Sequence, residues 1–109
     1  MRSWHPIHPR HLDRQRLLGE HVELHVLFKV IDEDGDGWRN HPERRRWEGH
    51  LPALVRRHDQ IVREMERRGY NHRSPLPEQA GHVRFPGTWQ PLWEMKKILK
   101  EKQSGEDTT

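Results

Sequence analysis

The chain contains no cysteine. That excludes a disulfide framework and any thiolate metal site, and it leads to the expectation of a reducing, cytoplasmic setting. No apolar run approaches the roughly 18 residues that a membrane span needs, so no membrane partner is expected. The first eleven residues, MRSWHPIHPRH, lack the apolar centre of a secretory signal. No segment alternates apolar and polar residues with period two, which argues against strands. There is no internal repeat. Hydrophobic residues make up only 30% of the 109, against 34% charged. The core must therefore be small and the surface ionic, within one domain.

What is present is helical periodicity. Pro6 and Pro9 keep residues 1–11 extended or turning. A helix is predicted to begin near Leu12 or Asp13, where a carboxylate suits the positive end of the helix dipole. Leu17, Leu24, Leu27, Phe28 and Ile31 recur at three, four and seven residues and form one apolar stripe. At about 100° per residue, Glu20 falls between Leu27 and Ile31, and Glu23 lies on the flank near Arg16. Pro42 suits the first turn of a short helix carrying Trp47. A second long helix is predicted from about Pro52 to Arg68, with Leu51, Val55, His58, Val62 and Met65 on one side and Leu54 and Ile61 beside them. Gly69 should stop it, with Tyr70 packing back on the last turn. Residues 71–91 read as loop. Pro91 opens a third helix with Leu92, Met95, Ile98 and Leu99 inward, and residues 104–109 read as a frayed tail. The expected architecture is all-α: one domain over residues 1–103, three main helices and an extended N-terminal segment, acting as a monomer.

Basic charge is clustered. Residues 42–73 hold nine arginines against five acids, which suits a polyanionic partner, although a solvated charged face has the same signature. Four local patterns carry possible chemistry. Asp32, Asp34, Asp36, Gly37 and Glu43 complete the spacing of a calcium loop, with three short carboxylates, a glycine for the sharp turn and a closing bidentate glutamate. Against it stand Arg39 at a position usually apolar, Pro42 before the closing ligand, and the lack of a second loop; an acidic turn is the plainer reading. His21 and His25, four apart on a helix, could share a metal, and His5, His8 and His11 add density nearby. The order is not that of the metalloprotease motif, and a polar helix face explains a bare pair equally, so neither a resident metal nor a cofactor is assigned. Glu20 and Glu23, beside Arg16 and the apolar stripe, could act as acid, base or charge stabiliser, or could be salt-bridged helix surface. Trp89 and Trp93, followed by Lys96 and Lys97, could stack on or wedge between bases with phosphate contacts alongside, or could finish the core.

Two blocks resemble a known family. One is LDRQRLLGEHVEL, residues 12–24. The other is GHL at 49–51 running on to LVRRHDQIVREMERRGYN at 54–71. Together they are similar to the small helical pyrimidine-dimer DNA glycosylases with AP-lyase activity, of which phage endonuclease V is the type. A weaker likeness lies in the Thr88–Trp89 pair followed by basic residues. The resemblance implies a compact three-helix fold, double-stranded DNA as partner and no cofactor. It implies that the N-terminal α-amine attacks the sugar C1′, displaces the damaged base and forms a Schiff base. A glutamate on the first helix, matching Glu23, then assists strand cleavage.

The chain departs from that pattern at its start. A small residue that lets the initiator methionine be removed is replaced by Arg2, so the reactive amine would be that of Met1, or of Arg2 after processing. Family arginines correspond to Ser3, Val22 and Val26; Arg2, Arg10, Arg14 and Arg16 are candidates to compensate. The implied site is therefore Glu23 with Met1 or Arg2 as catalytic residues, and Arg10, Arg14, Arg16, Trp89, Trp93, Lys96 and Lys97 on DNA. The alternatives are a non-catalytic DNA-binding module on the same scaffold, a calcium-binding protein using residues 32–43, and a protein whose charged faces meet another protein.

Overall fold

A computed structural model of the chain describes residues 2–72 and 74–107, the last three by backbone alone. Four helices follow in order: α1 (Arg14–Asp32), α2 (Pro42–Trp47), α3 (Leu51–Arg67) and α4 (Leu92–Asp107). A single 3-10 turn, Pro9–His11, precedes them, and no strand occurs among the described residues. The all-α expectation holds. Helix α4 extends over residues 104–107, within the stretch that the sequence pattern reads as tail; residues 108 and 109 lie outside the described set. No described helix is long and apolar enough to cross a membrane.

The helix boundaries follow local chemistry. Asp13 caps α1, its carboxylate accepting from the Arg16 N–H at 2.9 Å, and so satisfies one orphan donor of the first turn. At the far end of α3, Gly69 takes a φ of 84°. The Gly69 N–H then donates to the Glu66 carbonyl and the Tyr70 N–H to that of Met65. This paired closure needs a residue that tolerates left-handed backbone, which is glycine's role.

The core lies between α1 and α3. Leu17, Leu24, Leu27 and Phe28 meet Leu54, Ile61 and Met65, and α4 adds Met95 and Leu99. The inner side of α3 is rotated from the predicted one: Leu51 and Val62 are only half-buried, whereas Ala53, Arg57 and Glu64 are inside. Two tryptophans complete the core, Trp47 from α2 and Trp4 from the N-terminal segment. The other three, Trp38, Trp89 and Trp93, are exposed.

That N-terminal segment has almost no secondary structure of its own, and its carbonyls are taken up by arginines. Arg46 donates to the carbonyls of Ser3 and His5, Arg57 to that of Ile7, and Arg68 to those of Pro9 and Leu12. Each arginine is paired with a carboxylate: Glu43, Glu20 and Glu64 respectively. A segment that cannot join a helix or sheet ladder must satisfy its backbone elsewhere, and here side chains do it. No buried side-chain nitrogen or oxygen is left without a partner among the described residues.

Candidate functional site

Glu20 is the anchor of the site. It sits on the buried side of α1 at 2% exposure. Arg57 meets it as a fork, Nε to Oε2 at 2.7 Å and Nη2 to Oε1 at 2.9 Å. The Ser3 hydroxyl donates to Oε2 at 3.0 Å and the Trp4 N–H to Oε1 at 2.9 Å. Two opposite charges taken out of water are tolerated only when their geometry is good and the remaining polar atoms are also paired, and both conditions are met. The consequence is positional: residues 3 and 4 are fixed against α1. Glu43 does the same from α2, reaching the Ser3 N–H at 3.4 Å and the Trp47 indole N–H at 3.2 Å while Arg46 lies beside it.

Immediately before this fixed point, Arg2 lines two neighbouring hollows. One, of about 530 Å³, is bounded by Trp4, Gln15, Arg16, Gly19, Glu20, Glu23 and Lys102. The other, of about 540 Å³, is bounded among others by Asn40, His41, Arg45, Thr88, Trp89 and Met95. Glu23 is half-buried and lies on the wall of the first. The Arg2 guanidinium stacks 4.9 Å above the Trp4 ring and donates to Gln90 at 3.2 Å. Met1 lies outside the described residues.

The other residues singled out in the sequence are distributed unevenly. Arg16 shares the groove of Glu23 and pairs with Asp13 at 3.7 Å. Trp89 lines the second hollow, 64% exposed, its indole N–H reaching the Pro42 carbonyl at 3.3 Å. Trp93 is 68% exposed, so neither tryptophan finishes the core. Arg10 and Arg14 are exposed; Arg14 stacks over Tyr70, with 5.3 Å to the ring centre. Lys96 and Lys97 are exposed, and Lys96 borders a further hollow with His11 and Lys100 rather than the groove of Glu23. Lys102, on α4, lines the groove of Glu23 and carries no local signal in the sequence, since it stands far along the chain.

The arginine cluster that reads as a polyanion surface is partly interior. Arg44, Arg46 and Arg57 are all buried, at 2%, 7% and 1% exposure. Arg44 also corrects the calcium reading. Its guanidinium donates to the carbonyls of Gly35 and Gly37 and lies 3.7 Å from Asp34. The loop's negative charge is thus met by the protein's own cation, while Glu43, the closing ligand of the motif, is turned away to Ser3, Arg46 and Trp47. The spacing is right but the side chains do not converge.

The described chain is thus an all-helical domain whose N-terminal segment lies beside a groove bordered by Arg2, Arg16 and Lys102. The family model for pyrimidine dimer DNA glycosylases matches residues 1–78 of the 109, and the chain belongs to that family. Searches of curated proteins and of solved structures returned no significant match.

Proposed function

We propose that the protein is a DNA glycosylase with AP-lyase activity, acting on damaged duplex DNA through its N-terminal amine. The observation that carries this reading is that Arg2 and Glu23 line one groove, at the end of a segment whose carbonyls are held by three arginines. A flexible terminus would lose most of the rate advantage of a positioned nucleophile, and holding the chain from Ser3 onward limits that loss.

The chemistry suits the groups. An α-amine titrates near about 7.7–8 in unstructured peptides, so a useful fraction is neutral at pH 7. The neutral nitrogen attacks C1′, the C1′–N bond to the damaged base breaks, and the base leaves. The attached nitrogen gives up a proton, and opening of the C1′–O4′ bond, with a proton delivered to O4′, then gives a protonated imine between protein and sugar. Glu23 takes the proton from C2′, and the 3′ phosphate departs as the strand is cut. Before that step the same carboxylate stabilises positive charge developing on the sugar. Arg2, Arg16 and Lys102 border the groove and suit the flanking phosphates. The target nucleotide must leave the stack, and the exposed Trp89 ring suits a base or gap opened beside it.

The test is strand cleavage of duplexes carrying a single cyclobutane pyrimidine dimer or a single abasic site, by wild type and by Glu23→Gln. Cleavage by the wild type and its loss in the variant are expected. Salt-sensitive binding with no cleavage of either duplex would instead identify a binding module that has kept the scaffold without the reaction.

A further inference from the structure

Opposite the groove, four histidines converge. His21 and His25 come from α1, His58 from α3, and His72 from the irregular segment three residues past the Gly69 stop. One ring nitrogen from each lies within 4.8 Å of all the others. Two edges of this set are tight: Nε2 of His25 to Nε2 of His58 at 3.1 Å, and Nε2 of His72 to Nε2 of His21 at 3.0 Å. Four nitrogens bound tetrahedrally at about 2.0–2.1 Å from a zinc ion would stand roughly 3.3–3.4 Å apart. The cluster is therefore already near the size of such a shell.

We propose that His21, His25, His58 and His72 form a structural binding site for a divalent transition-metal ion of the zinc type, which pins the segment after α3 onto α1 and α3. Imidazole nitrogens without carboxylates or thiolates suit zinc, copper and nickel and disfavour calcium and magnesium. The outer contacts are those a metal-bound histidine needs. Nδ1 of His58 lies 3.1 Å from a carboxylate oxygen of Asp59, which holds the proton on Nδ1 and leaves the Nε2 lone pair directed at the cluster. His25 is hydrogen-bonded to the backbone of Ser74. Around α1, His21 and Glu23 are about 160° apart, so the site is separate from the proposed reaction groove. An ion there acts on the fold and not on the sugar.

The experiment uses the untagged full-length chain, stripped with a chelator and titrated with zinc chloride by calorimetry. Cobalt(II) absorption reports the coordination geometry, and thermal unfolding is followed with and without zinc. One ion per chain, the intense visible bands of tetrahedral cobalt and a zinc-dependent rise in unfolding temperature are expected. His72→Ala, in a segment outside the helices, should keep the helical circular dichroism and lose all three signals. Asp59→Asn should weaken zinc binding about 10–100-fold. His82→Ala, at an exposed histidine outside the cluster, should change none of them. No zinc-dependent shift in the wild type, or equal binding by the His72 and His82 variants, would overturn the proposal.

Discussion

Helix α1 presents two polar clusters roughly a third of a turn apart, and the two handle burial differently. On one side Glu20 is closed by a complementary charge, a hydroxyl and a backbone N–H, so nothing more can be added. On the other, four like groups turn ring nitrogens toward one another, two pairs of them at 3.0–3.1 Å, with Asp59 the one carboxylate beside them among the described residues. A closed ion pair fixes backbone, as it does for Ser3 and Trp4. A knot of imidazole nitrogens with no opposite charge at its centre is the arrangement on which the proposed cation site rests. On this account polarity near a helix core serves structure in one case and the proposed ligand in the other, and the sign and variety of the partners distinguish them.

Breaking the closed side should have the largest effect on stability. Arg57→Met leaves the Glu20 charge buried and unpaired and is expected to cost about 3–5 kcal/mol in urea unfolding. The double variant Glu20→Met with Arg57→Leu should recover part of that loss, because no lone charge is then interred. Glu23→Gln, one turn along, separates chemistry from folding. Its stability should stay within about 0.5 kcal/mol of wild type, while strand cleavage falls about a hundredfold or more.

Smaller effects sharpen the comparison. Trp89→Ala removes an exposed ring from the hollow beside Arg2 and should weaken binding to an abasic duplex by about 1–3 kcal/mol, measured by fluorescence anisotropy. Acid should act in two separate windows. His5 and His21 are held to about 4, chiefly by burial, against 6.5 when unperturbed. The unfolded chain therefore binds their protons first, and their contribution to stability is lost as pH falls from about 6.5 toward 4. Glu64 is held to about 2, chiefly by its hydrogen bond from Arg67. Its contribution is present above the ordinary glutamate range and is lost as pH falls below it toward 2. Chemical denaturation at stepped pH should show the first loss reduced in His21→Gln and the second unchanged.

Much of the scaffold is legible in the sequence because it is local. The Asp13 cap, the Pro42 and Pro91 helix starts, the Gly69 stop and the apolar stripe of α1 are all readable within one or two turns. Glu20 is recognisable as a carboxylate on the apolar side, but its partner is not. Arg57 stands 37 positions away, and by periodicity it looks like the surface arginines around it. Arg16, the local candidate, lies on the groove side instead. The same limit hides the histidine cluster: His21 and His25 are visible as a pair, His58 reads as core lining, and His72 carries no local signal. The calcium pattern fails for the complementary reason. Its spacing is a local match, while the fate of Glu43 is set by Ser3, forty positions earlier.

The central claim concerns the chain's first nitrogen and the carboxylate of residue 23. It is tested most directly by sodium borohydride trapping on an abasic-site duplex, using protein whose N-terminus has been verified by mass spectrometry, followed by peptide mapping of the adduct. The account predicts a covalent protein–DNA product carried on the N-terminal peptide. No adduct, or an adduct on a lysine elsewhere in the chain, would contradict it.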